Sequence, residues 1–188
     1  MSPIAWALQP LKKYAQFSGR APRAEFWWFM LFVIILYIVL SFFMVGSLVS
    51  LGSAAQEGAD PTAGMLGAMG GGMIFMLLFW LVLLIPTLAV QTRRLHDTGR
   101  SGWWLGGFYI LYAVYFAMLI SAGAMAGAGA ADPEQALGGA MVGTMFLGLV
   151  MMVYGIALIV FYCLPGTKGA NKYGPDPYGP QDVGEVFA

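Results

Sequence analysis

The positions of charged residues constrain the fold of this chain more than any other feature of its sequence. Crossing about 30 Å of hydrocarbon takes roughly 20 apolar residues in a helix, and four uncharged stretches reach that length. They are residues 26–51, 70–90, 103–123 and 140–164. Backbone polar groups cannot stay unpaired in lipid, and these stretches lack the alternation typical of β-strands. Each is therefore predicted to be a transmembrane helix.

Composition indicates the same class of protein. A soluble domain carries about 25% charged residues, whereas this 188-residue chain has 10% charged and 60% hydrophobic residues. The net charge of zero excludes no class, because the two signs are separated along the chain. We predict an all-α membrane protein with four transmembrane helices, in which residues 1–188 form a single membrane domain.

The two signs of charge alternate across the apolar stretches. All nine Lys and Arg residues lie before the first stretch, between the second and third, or after the fourth. The other two connections carry only the acidic residues Glu57, Asp60, Asp132 and Glu134. The positive-inside rule then predicts two hairpins with both termini in the cytoplasm. The cytoplasmic segments would be the lead-in 1–25, the loop 91–102 and the tail 165–188.

Segments outside the apolar stretches carry weaker signals. Residues 1–16 have apolar positions at helical spacing, which predicts a short interfacial helix on the inner leaflet; a frayed terminus is the alternative. The outer connections 52–72 and 123–139 are rich in Ala and Gly. We expect them to be flexible connectors that partly continue the helices. Cys163 is the only cysteine, so no intrachain disulfide is possible.

The loop 91–102 contains the densest group of polar side chains. If the second long helix continues through Asp97, then Arg93 and Asp97 are four residues apart and share a face. Gly99 suits the left-handed residue that ends a helix, and Ser101 is placed to cap the next helix. We therefore predict a tight helix-turn-helix corner in which three guanidinium groups surround one carboxylate.

A second polar cluster precedes the first long helix. Either Arg20 or Arg23 is predicted to pair with Asp97, and Glu25 with an arginine of the loop. Such pairs would tie the two hairpins together. The tryptophans near the inner boundary are predicted to be interfacial anchors. They are Trp27, Trp28, Trp103 and Trp104.

The arginines of these clusters admit two interpretations. Guanidinium groups match phosphate oxygens in pairs, and basic pockets between helices bind anionic lipids, which would make the clusters a headgroup or anion site. Alternatively, the arginines only orient and anchor the helices. His96, the only histidine, is either a pH-sensitive contact beside Asp97 or the donor of a structural hydrogen bond.

Catalysis and transport have little support in the sequence. With one His and one Cys, no second such residue exists to build a nucleophile–base pair or a metal site, and no cofactor is predicted. Glu25 and Asp97 lie beside arginines, which keep carboxylates ionised and make them poor general acids. The first, second and fourth apolar stretches contain no ionisable residue deep in the membrane, and such residues usually mark ion or proton paths.

Three blocks of the chain share a distinctive pattern. They are Phe17-Ser18-Gly19-Arg20 with Arg23 and Phe26-Trp27, the run from Arg93 to Trp104, and Pro165-Gly166-Thr167 with Gly169, Asn171, Tyr173 and Gly174. In these blocks the chain resembles a bacterial inner-membrane family known only as domain of unknown function 805 (DUF805). The resemblance implies a small multi-helix protein of the bacterial inner (plasma) membrane without an assigned activity. The long Ala/Gly/Met-rich outer connections depart from the family pattern.

All three blocks fall on the predicted cytoplasmic side. We therefore expect Asn171 and Tyr173 to fold back over the corner. The candidate residues for binding an anion, a lipid or a partner are Arg20, Arg23, Arg93, Arg94, His96, Asp97, Arg100, Asn171 and Tyr173.

These residues favour a non-enzymatic inner-membrane scaffold or accessory subunit. Its cytoplasmic face is expected to bind anionic lipid headgroups, a partner protein or a second copy of the chain, and no nucleic acid. One alternative is a small oligomeric transporter or channel. A less favoured alternative is an enzyme that acts on a lipid headgroup.

Overall fold

The computed structural model describes residues 1–56, 61–127 and 133–179. These residues form five α-helices and no β-strand. The helices are α1 (Pro3–Lys12), α2 (Arg23–Gln56), α3 (Pro61–Asp97), α4 (Trp103–Gly127) and α5 (Pro133–Cys163). The predicted all-α class is therefore confirmed.

Four of these helices are long and apolar enough to cross a membrane. Within the described residues, the qualifying segments are Arg23–Phe42, Ile74–Asp97, Trp103–Ala124 and Met141–Cys163. The helices themselves run beyond the apolar stretches, because Ala, Gly and polar residues continue a helix after the hydrophobic segment has ended. The orientation of the helices across a membrane stays a prediction.

Helix α3 shows the largest difference from the predicted boundaries. Its apolar stretch is predicted as residues 70–90, whereas the helix runs from Pro61 to Asp97. The continuation to Asp97 is the condition on which the predicted helix-turn-helix corner depends. The connection to α4 is consequently a short turn. The outer connection that contains residues 57–60 and the one that contains residues 128–132 lie partly outside the described residues, so the expected flexible connectors are described only where the helices extend into them.

The lead-in forms the predicted short helix. The Ser2 hydroxyl accepts a hydrogen bond from the Ala5 amide at 3.2 Å, and Pro3 occupies the first helical position, where its missing N–H is not needed. Ala7 and Pro10 are buried, whereas Ile4 is 71% exposed. Helix α1 therefore packs one face against the rest of the protein and leaves the apolar side chain of Ile4 exposed on another face.

The turn between α3 and α4 is built around Gly99. Its φ of 76° lies in the left-handed region that glycine adopts without strain. The Gly99 amide donates to the His96 carbonyl at 3.0 Å, and the Arg100 amide donates to the Leu95 carbonyl at 2.9 Å. This pair of bonds is the Schellman arrangement that ends a helix. The predicted role of Gly99 is thus confirmed.

The start of α4 differs from the prediction. The helix begins at Trp103, so Gly102 rather than Ser101 is the residue that directly precedes it. A Cβ atom on residue 102 would lie 2.9 Å from the Thr92 methyl carbon. Glycine at this position therefore lets α3 and α4 approach closely, which a side chain would prevent.

The buried core lies at one end of the helices. We call it the basic end: α2 and α4 begin there, and α3 and α5 end there. Phe26, Phe29, Val90 and Leu95 are among the buried residues packed together at this end. Apolar side chains farther along the helices are exposed, for example Phe146 at 68%. Such exposed apolar surface suits contact with lipid.

Candidate functional site

Five charged side chains are buried together at the basic end, and we call them the ion-pair cluster. They are Arg20, Glu25, Arg93, Arg94 and Asp97. Charged groups are almost never fully buried unless they are paired. The arrangement of their partners therefore determines what this end of the molecule can do.

Asp97 is the acidic centre of the cluster. Arg20 donates from Nε to one carboxylate oxygen at 2.9 Å, and Arg94 donates from Nη1 to the other oxygen. Arg20 was one of the two predicted partners of Asp97, and that pairing is confirmed. Arg23, the alternative partner, is exposed.

The remaining donors of the same two arginines bind backbone carbonyls. Arg20 donates to the carbonyls of Gly169 at 2.6 Å and Thr167 at 2.5 Å. Arg94 donates to the carbonyl of Tyr162 at 3.0 Å and also to that of Leu164. The carbonyls at the end of a helix lack helical partners, so the arginines complete the end of α5 and hold the segment that follows it.

Arg93 belongs to a separate pair. Its Nη1 atom donates to Glu25 at 2.6 Å, and both side chains are 1% exposed. Lys13 lies 3.9 Å from the other oxygen of Glu25. The prediction that Glu25 pairs with an arginine from the α3 end is confirmed, and the pair joins α2 to α3.

The prediction that three guanidinium groups from one corner surround Asp97 is wrong. Of the arginines near the end of α3, only Arg94 reaches Asp97, at a spacing of three residues. Arg93 points to Glu25 instead. The Arg100 guanidinium lies 3.9 Å from the centre of the Phe161 ring. The second guanidinium at Asp97 comes from Arg20, which precedes α2.

The segment after α5, residues 164–179, folds over the end of α3, and we call it the tail strap. The Thr167 amide donates to the Asp97 carbonyl at 2.9 Å. Asn171 donates from Nδ2 to the His96 carbonyl at 3.0 Å. The Tyr173 ring stacks on the His96 ring at 3.8 Å with an angle of 4° between the planes. The expected contact of Asn171 and Tyr173 with the corner is present.

His96 has a defined hydrogen-bonding role. Its Nδ1 atom lies 3.2 Å from the Gly19 carbonyl oxygen. Because a carbonyl only accepts, Nδ1 must carry the proton in this contact. The imidazole thus bridges the segment before α2 and, through Tyr173, the tail strap. This is the structural hydrogen bond that the sequence offered as one of two interpretations.

An open cavity of about 430 Å³ lies beside the ion-pair cluster. It is lined by Thr92, His96, Ser101, Gly102, Trp103 and Tyr173. Trp103 is 78% exposed, and the Lys172 ammonium group lies 4.9 Å from the centre of the Tyr173 ring. We call this feature the interfacial cavity, because it adjoins the first residue of the apolar helix α4.

Sequence reasoning missed two residues near the interfacial cavity. Thr92 lines it together with His96, and the spacing of four residues within a helix would have placed both on one face. Lys172 enters the sequence prediction only as one of the nine basic residues that orient the helices. The sequence signal for Lys172 was its neighbour Tyr173, which was already predicted to fold over the corner. The structure places the Lys172 ammonium group against the Tyr173 ring.

The predicted anchors are accessible at the basic end. Trp27, Trp28 and Trp104 are about 40% exposed, at 42%, 39% and 42%. Such partial exposure is what a ring at a membrane–water boundary requires. Their position in a membrane stays a prediction. Across the three described segments, no group of three His, Cys, Asp or Glu residues is placed to hold a metal ion.

These features define a class of multi-pass membrane protein with a cluster of buried ion pairs at one end of its helices. Residues 14–175 match the family described as "Protein of unknown function (DUF805)". The chain belongs to this family, as the resemblance had predicted.

Curated relatives agree with that assignment. Inner membrane protein YhaH of Escherichia coli (strain K12) is 30% identical over 172 residues, which are 92% of this chain and 95% of the relative. Inner membrane protein YhaI of the same organism is 29% identical over 174 residues, or 93% and 96% of the two chains. Uncharacterized protein YiiR is 31% identical over 169 residues, or 89% and 87%. No solved structure matches the chain significantly. The relatives' names and the four apolar helices fit a multi-pass inner membrane protein.

Proposed function

We propose that this protein is a non-enzymatic module of the inner membrane whose cytoplasmic face binds the phosphate headgroup of an anionic lipid. The observation that carries the proposal is the interfacial cavity, which combines hydroxyl groups, an imidazole and a nearby ammonium group with an exposed tryptophan. Such a cavity can accept a headgroup while the attached acyl chains remain beside α4.

The location of the proposed site differs from the sequence prediction. Arg93 and Arg94 were candidates for phosphate binding, but they are 1% and 0% exposed and already have internal partners. Within the described residues the Nε and Nη2 atoms of Arg93 have no hydrogen-bond partner, but they are buried, so a phosphate would have to open the cluster to reach them. The accessible groups lie instead in the adjacent cavity, so the proposal gives the arginines a structural role and the cavity the binding role.

The chemistry of the cavity suits a phosphate. Thr92 and Ser101 have hydroxyl groups that can donate to phosphate oxygens, and Lys172 holds a positive charge 4.9 Å from the ring of the lining residue Tyr173. The cavity also borders the first residues of α4, and a helix N-terminus favours an anion. No single one of these groups is strong, but together they favour an anionic over a zwitterionic headgroup.

We propose no enzymatic role because the buried acidic residues are already paired with arginines. Both oxygens of Asp97 accept bonds from buried guanidinium groups, and Glu25 is paired with Arg93. Both carboxylates are buried and already have internal partners, so neither is free to contact a substrate. The Nδ1 atom of His96 is committed to the Gly19 carbonyl.

Native mass spectrometry with defined lipids tests the proposal. The detergent-solubilised chain is titrated with phosphatidylglycerol and, separately, with phosphatidylcholine of the same acyl chains. We expect preferential retention of phosphatidylglycerol, weakened about fivefold in K172Q because one lysine near a membrane surface contributes about 1 kcal/mol.

The chain provides a matched control. Lys168 is an exposed lysine of the same tail strap. Neither lysine lines the cavity, but Lys172 lies over the ring of Tyr173, which does, whereas Lys168 contacts no ring within the described residues. K168Q removes the same charge and should leave phosphatidylglycerol retention near the wild-type value. Equal retention of the two lipids by the wild-type protein, or equal losses in K168Q and K172Q, would overturn the proposal.

A further inference from the structure

A second cavity, of about 140 Å³, lies among helices α2, α3 and α4. Its lining includes Tyr37 from α2, Trp80 and Thr87 from α3, and Tyr109 from α4. We call it the intramembrane cavity. Trp80 is the middle residue of the predicted apolar stretch 70–90, and Thr87 precedes its last residue by three positions. At 1.5 Å per residue, the cavity therefore extends from about the middle of the hydrocarbon to about 5 Å from its predicted edge.

Three hydroxyl groups of this cavity lack hydrogen-bond partners. Within the described residues, no hydrogen bond involves the hydroxyl of Tyr37, Thr87 or Tyr109. Hydroxyl groups in membrane helices commonly bond to their own helix, as Ser41 does with the Tyr37 carbonyl at 2.7 Å and Ser121 with the Met118 carbonyl at 2.9 Å. The three hydroxyls of the cavity do not.

The depth of the cavity makes these unsatisfied groups significant. Hydrocarbon offers no hydrogen bonds, so a polar group without a partner at this depth is unfavourable. All three residues line one cavity. A molecule that fills the cavity and accepts hydrogen bonds would satisfy them.

The size and lining restrict what this molecule is. A cavity of about 150 Å³ in another protein holds benzene, so the intramembrane cavity accommodates one ring. The lining contains no residue that is charged at neutral pH, since its remaining members are apolar, such as Leu83 and Leu84. An uncharged ring that enters from the bilayer and carries oxygen acceptors fits these restrictions.

From these observations we propose that the intramembrane cavity binds the head ring of a lipid-soluble quinone, with the Tyr37, Thr87 and Tyr109 hydroxyls donating to its carbonyl oxygens. The proposal concerns binding alone. It is independent of the proposed headgroup site, which lies at the basic end and is lined by different residues.

Trp80 provides a reporter inside the cavity. The full chain in phosphatidylcholine nanodiscs is titrated with a benzoquinone that carries a ten-carbon tail, and tryptophan fluorescence is recorded. We expect saturable quenching at one equivalent, superimposed on a non-saturable component from quinone dissolved in the lipid. W80F should remove most of the saturable part.

A variant that preserves shape tests the hydrogen bonds. The combination Y37F, T87V and Y109F removes the three hydroxyl groups with little change in volume, and we expect at least about tenfold weaker binding. Y112F is the matched control, because Tyr112 is an exposed residue of α4 outside the cavity. It should bind as the wild type does.

Two further comparisons make the proposal falsifiable. L83F places a larger side chain in the cavity and should abolish saturable quenching, while the isosteric triple variant covers the case in which L83F fails to fold. An alkylbenzene with the same tail should compete weakly with the quinone. Unsaturable quenching, undiminished binding by the triple variant, or equal competition by the alkylbenzene would overturn the proposal.

Discussion

The Tyr14 hydroxyl donates a hydrogen bond of 2.7 Å to the carbonyl oxygen of Val82. Val82 precedes Pro86 by four positions within helix α3. Because proline has no N–H, the Val82 carbonyl lacks the helical donor that it would otherwise have. Tyr14, which follows α1, supplies the missing donor from another part of the chain. The hydrogen bond thus links the lead-in to the proline position of α3.

This relationship predicts a coupled effect of two substitutions. Y14F should destabilise the protein by about 1 kcal/mol, because a carbonyl of α3 loses its donor. In a P86A background, the restored N–H can bond to Val82, so Y14F should then have a smaller effect. Unfolding in mixed detergent micelles measures both differences, and hydrogen exchange of the α1 amides reports where the structure loosens.

The control for that cycle is Y112F, which removes an exposed hydroxyl from α4. It should change stability by less than about 0.5 kcal/mol. An effect of Y14F that is the same in the wild-type and P86A backgrounds would show that the Tyr14 bond does not compensate for the proline.

The ion-pair cluster predicts unequal roles for two neighbouring arginines. R94Q should destabilise the protein by about 3–5 kcal/mol, because it removes one partner of a buried pair. It also leaves the carbonyls of Tyr162 and Leu164 without their donor. R100Q should cost about 1 kcal/mol or less, since Arg100 contacts the ring of Phe161 and donates one long hydrogen bond, of 3.4 Å, to the Thr98 carbonyl.

Thermal unfolding of R94Q and R100Q in the same detergent tests this difference. The two variants remove the same charge from the same end of the molecule. A role limited to topology would make them equivalent, so equal unfolding temperatures would contradict the structural role of Arg94.

Much of the fold follows from the sequence, because hydrocarbon imposes a simple condition on it. An uncharged stretch of sufficient length must form a helix, and four such stretches predict four long helices. The ends of α3 were not predictable in the same way. Hydropathy marks where the chain leaves lipid, whereas helix propensity lets residues 91–97 remain helical beyond the apolar stretch.

The candidate site was predictable only in outline. Opposite charges at the same end of the helices predicted that Arg20 or Arg23 pairs with Asp97 and that Glu25 pairs with an arginine. The choice between Arg93 and Arg94 depends on rotation about the helix axis, which changes by about 100° per residue. The carbonyls of Thr167 and Gly169, which bind Arg20, leave no signal in a sequence because every residue has one.

The close contact of the tail strap with α3 predicts a strict requirement at residue 166. A Cβ atom on Gly166 would collide with the Asp97 carboxylate. G166A should therefore displace the tail strap or disturb the pairs of Asp97 with Arg20 and Arg94, with a loss of about 2–4 kcal/mol in stability. Limited proteolysis of the tail and thermal unfolding measure the two effects.

Gly123 is the matched control for this substitution. An added Cβ there meets nothing within 4 Å, and alanine favours a helix interior over glycine. G123A should thus leave stability unchanged or raise it slightly. Wild-type stability and proteolytic resistance in G166A would show that the strap does not pack on Asp97 as described.

A pH titration examines the far end of the tail strap. The Asp176 carboxylate accepts bonds from the amides of Tyr178 at 2.9 Å and Gly169 at 3.0 Å. These bonds, that from Tyr178 first, lower the pKa of Asp176 below its ordinary value of 3.8. The stabilisation is therefore fully present above pH 3.8 and is lost as the pH falls through the lower pKa of the folded protein.

The amide NMR signals of Gly169 and Tyr178 should shift together with a midpoint below 3.8, and D176N should abolish that shift. A midpoint at or above 3.8 would mean that the two amides do not bind the carboxylate.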